Sequence, residues 1–524
     1  MRTRLLFTAL LASNMLMAQV PLKVKTSEKE HTVEDATHIT FQDDLSVQHV
    51  HSEDNRTLDL PMQSIHEVIL RDTLHNVSDY ILWDEDCMIY RWAFMYSRVQ
   101  YATYYPYFNF FYSNFTDPAQ TNGGQTSFTP ELQSRFALFV PVDSAMDTIP
   151  YCLSFVARNP AAISLQYIGG TFPFKTAESV YNYNQETGQI GTAMRSQRLT
   201  HESVISFLNE VLMQNTIVFD RPEDRELGIR SGNEYFTTLA GTVVRVAADG
   251  KSVQGVLQMD NAAKGIRFSN CNIIDTHHKS NGTIYKIDCP ILPPAIQKTA
   301  YSILSGEGYE EFFKLCQVNT DVLKALSLID TEASTETQTW QENFYSNFVD
   351  RHGANYNLSF FPSHPFTLYA PTNEAVRQAI TDGLPTWESL AATYGNGVSS
   401  DAERAEGKKK VYELINFVRY HFHFGTEIAD KLPFAAREHA TPAILPEAGF
   451  ATPRLSVSSA GNGTLSVTDA TGKVHHVMDE GKNIFVRDAI CSGDIYNVSS
   501  FNGIVIEHDS PGVIHRINSV LRYK

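Results

Sequence analysis

A chain of 524 residues, 43% of them hydrophobic, is long enough for about three domains with ordinary cores. Its formal net charge of −17 disfavours nucleic acid and anionic membrane surfaces as partners, because like charges repel each other. Six cysteines are too few for a disulfide-dense scaffold in a chain of this length.

The first 18 residues are typical of a cleaved secretory signal. Arg2 and Arg4 precede an apolar run from Leu5 to Met17, which is too short and too interrupted to span a membrane. Residues 19–72 contain short β-type runs separated by polar turns, and they predict a small β-rich segment, with a flexible arm as the alternative. We therefore expect an exported protein, located in the periplasm, at the cell surface or outside the cell.

The segment 101–115 is dense in aromatic residues. Because aromatic rings with a polar edge suit the apolar faces of sugars, Tyr104, Tyr105 and Tyr107 are candidate ligand-binding residues. The alternative is that these rings fill a core or a seam between domains. A related stretch, 344–348, keeps only some of the rings, which favours packing for the shared ones and leaves the three tyrosines as the better candidates.

One pattern recurs at an almost constant spacing. An apolar run stops at Pro141 and another at Pro371, and Gly282 and Gly512 open two similar runs further on; both pairs have a spacing of 230 in the numbering. A third pair of segments, Phe-Tyr-Ser-Asn-Phe at 111–115 and 344–348, has a spacing of 233. Three anchors in the same order indicate a duplicated unit of roughly 200 residues or more.

Proline ends a buried strand because it has no N–H and a fixed φ. After Pro141, Asp143 is predicted to cap the helix that follows, and after Pro371 the same role falls to Asn373 or Thr372.

Apolar spacing predicts helices over 202–214, 296–304 and 309–328, and a further helix that begins near Lys408 and ends at Tyr420. The polar residues 330–339 predict an exposed loop or a frayed end. A hairpin is predicted over 273–287, and the double proline at 293–294 marks a domain boundary. The two large domains are therefore predicted as 73–295 and 296–524.

Four of the cysteines can be interpreted. Cys271 and Cys289 flank the predicted hairpin, and counting outwards from its turn places them opposite each other as a candidate disulfide. Cys87 and Cys316 have a spacing of 229, close to that of the repeated pattern, and we predict equivalent buried positions with free thiols.

The strand–proline–helix element, the downstream Gly-x-Ile-Tyr/His run that includes His515, and a helix that ends in Tyr420-His421 together resemble the fasciclin (FAS1) domain, here in tandem. Asn215 stands where the first copy would have the histidine. The resemblance implies an α+β fold, in which each copy packs a helix cluster on a twisted, mainly antiparallel β wedge. It also implies adhesion, with Tyr420 and His421 as candidate partner-binding residues.

Motifs of catalysis are not found in the sequence: it has no Gly-x-Ser-x-Gly elbow, no phosphate-binding glycine loop and no HExxH. His421 and His423 would point the same way in an extended chain, but no further ligand has a convincing spacing for a metal. We therefore predict no catalytic, cofactor-binding or metal-binding residues.

The predicted function is a non-catalytic adhesion protein that presents two modules to glycan, matrix or envelope partners. A glycan-processing or metal-using enzyme is one alternative. A structural spacer of a surface assembly is the other.

Overall fold

The computed structural model describes residues 20–41, 46–52, 56–69, 77, 80–81, 84–100, 135–147, 149–152, 160–169, 173–175, 177–184, 186–194, 199, 201–219, 228–279, 282–292, 294, 298–350, 356–360, 364–445, 451–492 and 505–524. The predicted signal segment and the candidate residues Tyr104, Tyr105 and Tyr107 lie outside these ranges. The chain forms two compact units. Unit 1 consists of Met1–Ala145, Thr216–Ser231 and Ile273–Asp288, and unit 2 consists of Met146–Asn215, Gly232–Asn272 and Cys289–Lys524.

Helices and mainly antiparallel strands are mixed throughout the described chain, which confirms the predicted α+β class. Unit 1 begins with a five-stranded antiparallel sheet inside the predicted β-rich segment. Val24, Val50 and Leu60 form its buried core. In sheet order its strands are Thr57–Pro61, Val47–Ser52, Glu30–Phe41, Val20–Thr26 and Ile65–Ile69.

The remainder of unit 1 contains a helix, Met88–Gln100, and a second group of strands. The strand order in this group is Thr216–Phe219, Arg135–Pro141, Gly282–Ile287 and then Cys271–Lys279, whose first two residues belong to unit 2. Arg135–Pro141 and Gly282–Ile287 are parallel, whereas the other neighbours are antiparallel.

Unit 2 contains helices of five to twenty residues. They are His201–Gln214, Val256–Lys264, Ala300–Leu304, Glu310–Cys316, Thr320–Ala325, Thr335–Tyr345, Asn373–Thr381, Trp387–Tyr394 and Asp401–Tyr420. Its strands are Ile149–Cys152, Pro160–Ile163, Val180–Asn184, Gln189–Ala193, Tyr235–Thr237, Val243–Val246, Ser252–Gly255, Phe348–Asp350, Tyr356–Leu358, Phe366–Pro371, Phe422–Phe424, Phe434–Ala440, Arg454–Ser459, Ser466–Thr468, Val474–His476, Ile484–Ser492 and Val505–Ile517.

The strand Phe366–Pro371 lies at the centre of unit 2, buried along its whole length. Because successive side chains of a strand point to opposite faces, it contributes to two cores. Leu368 packs in a helical cluster that includes Phe312 and Leu414. Tyr369 packs in a second cluster, with Leu455 of the sheet that spans Phe434 to His476.

Two parallel strand pairs of the chain have the same register. In the first, which we call the N-terminal pair, Phe136 lies opposite Gly282 and Pro141 opposite Ile287. In the second, the C-terminal pair, Phe366 lies opposite Gly512 and Pro371 opposite Ile517. All four positions show the same spacing of 230 between the pairs, so Pro141 and Pro371 have equivalent strand partners.

The residues after the two prolines correct part of the capping prediction. Thr372 caps the helix that follows, since its hydroxyl accepts from the Ala375 N–H. Asp143 instead accepts from the Ile89 N–H (2.8 Å), at the start of an earlier helix. Asn373 behaves in the same way, because its Oδ1 accepts from the Glu311 N–H (3.0 Å).

Further helix boundaries differ from the prediction. The predicted helix 309–328 is divided into Glu310–Cys316 and Thr320–Ala325, and caps set two other boundaries. The helix Asp401–Tyr420 begins after Ser400, whose side chain caps it, so Lys408 lies inside the helix and not at its start. The predicted loop 330–339 contains the first residues of the helix Thr335–Tyr345, because Ser334 caps it by accepting from the Thr337 N–H. Local side-chain caps therefore outweigh the polar composition of both segments.

The cysteines lie as predicted. Cys271 and Cys289 form a disulfide with a Cα–Cα distance of 5.2 Å. Cys87 and Cys316 are free and buried.

We expect Gly512→Ala to lower the free energy of unfolding by about 1–3 kcal/mol, the usual cost of overpacking. A Cβ at Gly512 would overlap the ring of Phe366, so the ring or the strand must shift. Urea unfolding measures the change. Val474→Ala, at an exposed strand position, is the control, and an equal loss in both variants would contradict the close approach.

Candidate functional site

Tyr420 and His421 are fully buried. The Tyr420 hydroxyl donates to the Arg454 carbonyl (2.9 Å) and accepts from the Ala470 N–H (2.7 Å). These bonds join the end of the helix to two segments of the neighbouring sheet. In the described structure, neither residue offers a surface to a partner, in contrast to the role that the fasciclin resemblance implied.

His421 ties the end of its helix to the C-terminal segment. Its Nδ1 donates to the Phe417 carbonyl (2.8 Å), so the ring is the Nδ1–H tautomer, and Nε2 accepts from the Leu521 N–H (3.1 Å). The backbone of His421 is helical, which corrects the expectation that His421 and His423 point the same way along an extended chain.

Asn215 makes the same two bonds at the end of the helix His201–Gln214. Its Nδ2 donates to the Val211 carbonyl (2.8 Å), and its Oδ1 accepts from the Ile291 N–H (3.0 Å). Ile291 and Leu521 again have the spacing of 230 that relates the two strand pairs. The amide thus replaces the imidazole as a bridge of the same connectivity.

A buried polar cluster surrounds the C-terminal pair, and we call its members Tyr369, His423, Glu427, His439 and His515 the histidine cluster. The Tyr369 hydroxyl lies 3.1 Å from His423 Nε2, and the rings of His423 and His439 stack with centroids 4.2 Å apart. His515 stacks on Tyr369 and donates from Nε2 to the Glu427 carbonyl (2.8 Å).

The N-terminal pair is apolar at the equivalent positions. Phe139 stacks on Tyr285 with ring centroids 5.3 Å apart, as Tyr369 does on His515. Ile217, on the antiparallel neighbour, corresponds to His423, since they pair with Ala137 and Thr367 respectively. The strand arrangement can therefore form without the histidines.

Burial keeps His421, His423 and His515 neutral. Desolvation lowers the pKa of His421 and of His515 to about 4 and that of His423 to about 3. His439 reaches the rim of the cluster at 16% side-chain exposure, with its Nε2 3.2 Å from Glu427 Oε1. Glu427 also pairs with Arg437 (3.3 Å), so the carboxylate is shared by two basic groups.

No group of three or more His, Cys, Asp or Glu side chains suited to a metal ion occurs among the residues that the structure describes. In the histidine cluster, hydrogen bonds explain this absence. His423 Nδ1 donates to the Phe424 carbonyl (2.9 Å), and both nitrogens of His515 have backbone partners.

The fold also brings together a serine, a histidine and an aspartate that the sequence analysis missed. Ser519 Oγ lies 2.6 Å from His475 Nδ1, and His475 Nε2 lies 2.9 Å from Asp469 Oδ2. These three types form the catalytic triad of hydrolases, so the geometry raises the question of a nucleophile. The residues come from a tight turn, a short strand and the C-terminal segment, and no sequence spacing would have joined them.

The other bonds of Asp469 favour a structural role for this group. Its carboxylate also accepts from the backbone N–H groups of Thr471, Lys473 and Arg522. It therefore organises the turn before Val474–His476 and holds the C-terminal segment. Hydrogen bonds, chiefly those from the Thr471 hydroxyl and from His475, lower the pKa of Asp469 despite its burial.

No family model matches the chain, and a search of curated proteins likewise finds no match. Among the described helices, none combines the length and the apolar character needed to cross a membrane.

We expect His421→Asn to fold and to flatten the pH dependence of stability. The folded-state pKa of His421 is below its unfolded value, so the unfolded chain binds the proton first and stability falls as pH drops from about 6.5 towards 4. An asparagine at position 421 does not titrate, and it can make the same two hydrogen bonds that Asn215 makes. When the pH is lowered from 7.5 to 5, the free energy of unfolding of the variant should fall by about 2 kcal/mol less than that of the parent.

Urea unfolding at the two pH values measures this difference. His476→Asn, the same substitution at an exposed position, is the control. A variant with the full pH dependence of the parent would show that His421 is not the neutral, buried group described above.

We expect Ser519 to resist phosphonylation by a fluorophosphonate probe, because the backbone hydrogen bonds to Asp469 give the group a structural role. Intact-protein mass spectrometry before and after incubation measures the modification, and Ser519→Ala is the matched control. Stoichiometric labelling that is lost in Ser519→Ala would contradict the structural role and favour a hydrolase.

Proposed function

We propose that this chain is an exported, non-catalytic adhesion protein with two fasciclin-like modules that bind glycan, matrix or envelope partners. The observation that carries the proposal is the shared register of the N-terminal and C-terminal pairs. In each pair, the first residues of a strand that ends in proline lie opposite a glycine of the parallel strand. This is the element on which the resemblance to the fasciclin domain rests.

The bridges made by Asn215 and His421 add support. Both connect the end of a helix to the chain beyond the last strand of a pair. Their backbone partners, Ile291 and Leu521, repeat the spacing of the strand pairs. Equivalent residues therefore extend from the strand pairs to the helices and the segments that follow them, as duplication predicts.

Unit 2 holds residues of both predicted domains together through a buried interaction. Arg487 Nη1 lies 2.6 Å from Glu210 Oε1, and both side chains are at most 5% exposed. An apolar cluster that contains Val243, Val256 and Phe485 adds to this contact. Two binding modules in one chain favour multivalent attachment, because the second contact is then intramolecular.

The enzyme alternative has one specific observation in its favour, the Ser519–His475–Asp469 arrangement. The surrounding backbone hydrogen bonds to Asp469 favour the structural role. Adhesion therefore remains the proposal, and the fluorophosphonate experiment separates the two classes.

Binding of the full mature chain to a glycan array and to immobilised matrix proteins tests the proposal. We expect saturable binding to a defined group of glycans, and a loss of at least tenfold in affinity in the variant with Tyr104→Ala, Tyr105→Ala and Tyr107→Ala. The control is Tyr167→Ala, which removes an exposed tyrosine elsewhere.

Unchanged binding in the triple variant would exclude the three tyrosines from the binding surface. No saturable binding to any glycan or matrix protein would contradict adhesion and would favour the structural spacer.

A further inference from the structure

The helix Asp401–Tyr420 carries a buried arginine near its end. Arg419 is 6% exposed, and its Nη2 donates to the Phe344 carbonyl (2.6 Å). Its Nε is buried without a hydrogen-bond partner, and none of the ion pairs among the described residues involves it. Desolvation lowers its pKa to about 10, so the guanidinium is still charged at neutral pH. A buried charge without a counter-charge is costly.

Aromatic rings surround this cation. The guanidinium lies 5.4 Å from the ring centroid of Phe360 and 5.9 Å from that of Phe344, distances at which cation–π attraction acts. Such contacts offset part of the desolvation cost, but they leave the Nε donor of the guanidinium without an acceptor. The arginine is therefore held in place with hydrogen-bonding capacity that the described residues do not use.

The rings continue to the surface along the helix Thr335–Tyr345. Phe344 is 46% exposed, and Trp340, one turn earlier, is 71% exposed. Residues four apart share a helix face, so the two rings form one exposed aromatic strip beside Arg419.

The fold does not require a cation at this position. Arg419 lies two residues before His421, and Met213 lies two residues before Asn215, at the end of the corresponding helix. Methionine fills similar space without charge or hydrogen-bonding needs. The packing of the helix therefore does not explain why an arginine occupies this position.

We propose that Trp340, Phe344, Phe360 and Arg419 form an acidic-sugar site, in which Arg419 binds the carboxylate or sulfate of a sugar whose ring stacks on Phe344 and Trp340. Charge complementarity supplies the first part of the argument, because the planar guanidinium donates paired N–H groups that match an oxyanion. The exposed rings supply the second, since aromatic faces suit the apolar faces of pyranoses.

This site deepens the proposed adhesion function by naming a ligand class, and it rests on that function. The best single variant is Arg419→Met, which copies the residue at the corresponding position and should fold at least as stably as the parent. Trp340→Ala is the second variant, because its side chain is exposed and its removal leaves the core intact. Arg377→Met, which removes a charge at a 54% exposed side chain, is the matched control.

The probes are tetragalacturonate, its methyl ester, inorganic sulfate and a tetrapeptide with a free C-terminal carboxylate, measured by isothermal titration calorimetry on the full mature chain. We expect tetragalacturonate to bind at least tenfold more tightly than each of the other three probes. Arg419→Met should abolish this binding, Trp340→Ala should weaken it severalfold, and Arg377→Met should leave it unchanged.

Equal affinity of Arg419→Met and the parent for tetragalacturonate would overturn the site, as would equal binding of the ester. Sulfate or the peptide binding as tightly as the sugar would overturn the ligand class. If Arg419→Met still binds the glycan array like the parent, this site fails while the adhesion function stands. If the parent itself binds no glycan, the proposed function fails as well.

Discussion

The close pairing of a strand that ends in proline with a glycine inside its parallel neighbour is the constraint on which unit 2 depends. Gly512 lies against the ring of Phe366 with no room for a Cβ, and the residues that follow pair in register as far as Pro371 and Ile517. Because that register is fixed, Leu368 faces the helical core and Tyr369 the opposite one. Pro371 then ends the strand, and the hydroxyl of Thr372 starts the next helix.

The helix ends depend on the same register, through two different side chains. His421 and Asn215 each join a carbonyl four residues earlier to an N–H beyond the last strand. Both groups can present a donor and an acceptor, which is the only property this bridge requires. The imidazole differs in that it titrates, so stability becomes pH-dependent where histidine is used. The bridges at Asn215 and His421 thus share a geometry, but only the one at His421 responds to acid.

The sequence was informative where a pattern had a local cause. Proline and glycine spacing predicted the positions of both strand pairs, and the hairpin turn predicted the bridge between Cys271 and Cys289. The helix caps were harder to predict, because Asp143 and Asn373 bond to helices that precede them by many residues. Whether a polar residue caps its own helix or an earlier one depends on the packing of segments that are distant in sequence, which periodicity does not encode.

Buried polar groups were the least predictable part, and they also distinguish the two strand pairs. Phe139 and Tyr285 become Tyr369 and His515, and Met213 becomes Arg419. Most of the added polar groups have internal partners: Glu427 pairs with Arg437, and Arg487 pairs with Glu210. Such satisfied groups need no ligand to explain them.

Arg419 differs from these groups, since one carbonyl and two rings do not saturate a guanidinium. A polar group that costs stability without an internal partner persists when something outside the fold compensates it. The buried group itself determines which ligand can compensate it. For a guanidinium beside exposed rings, that ligand is an anion attached to a flat, partly apolar ring. The charge, the burial and the neighbours of one side chain determine this chemistry, whichever family the chain belongs to.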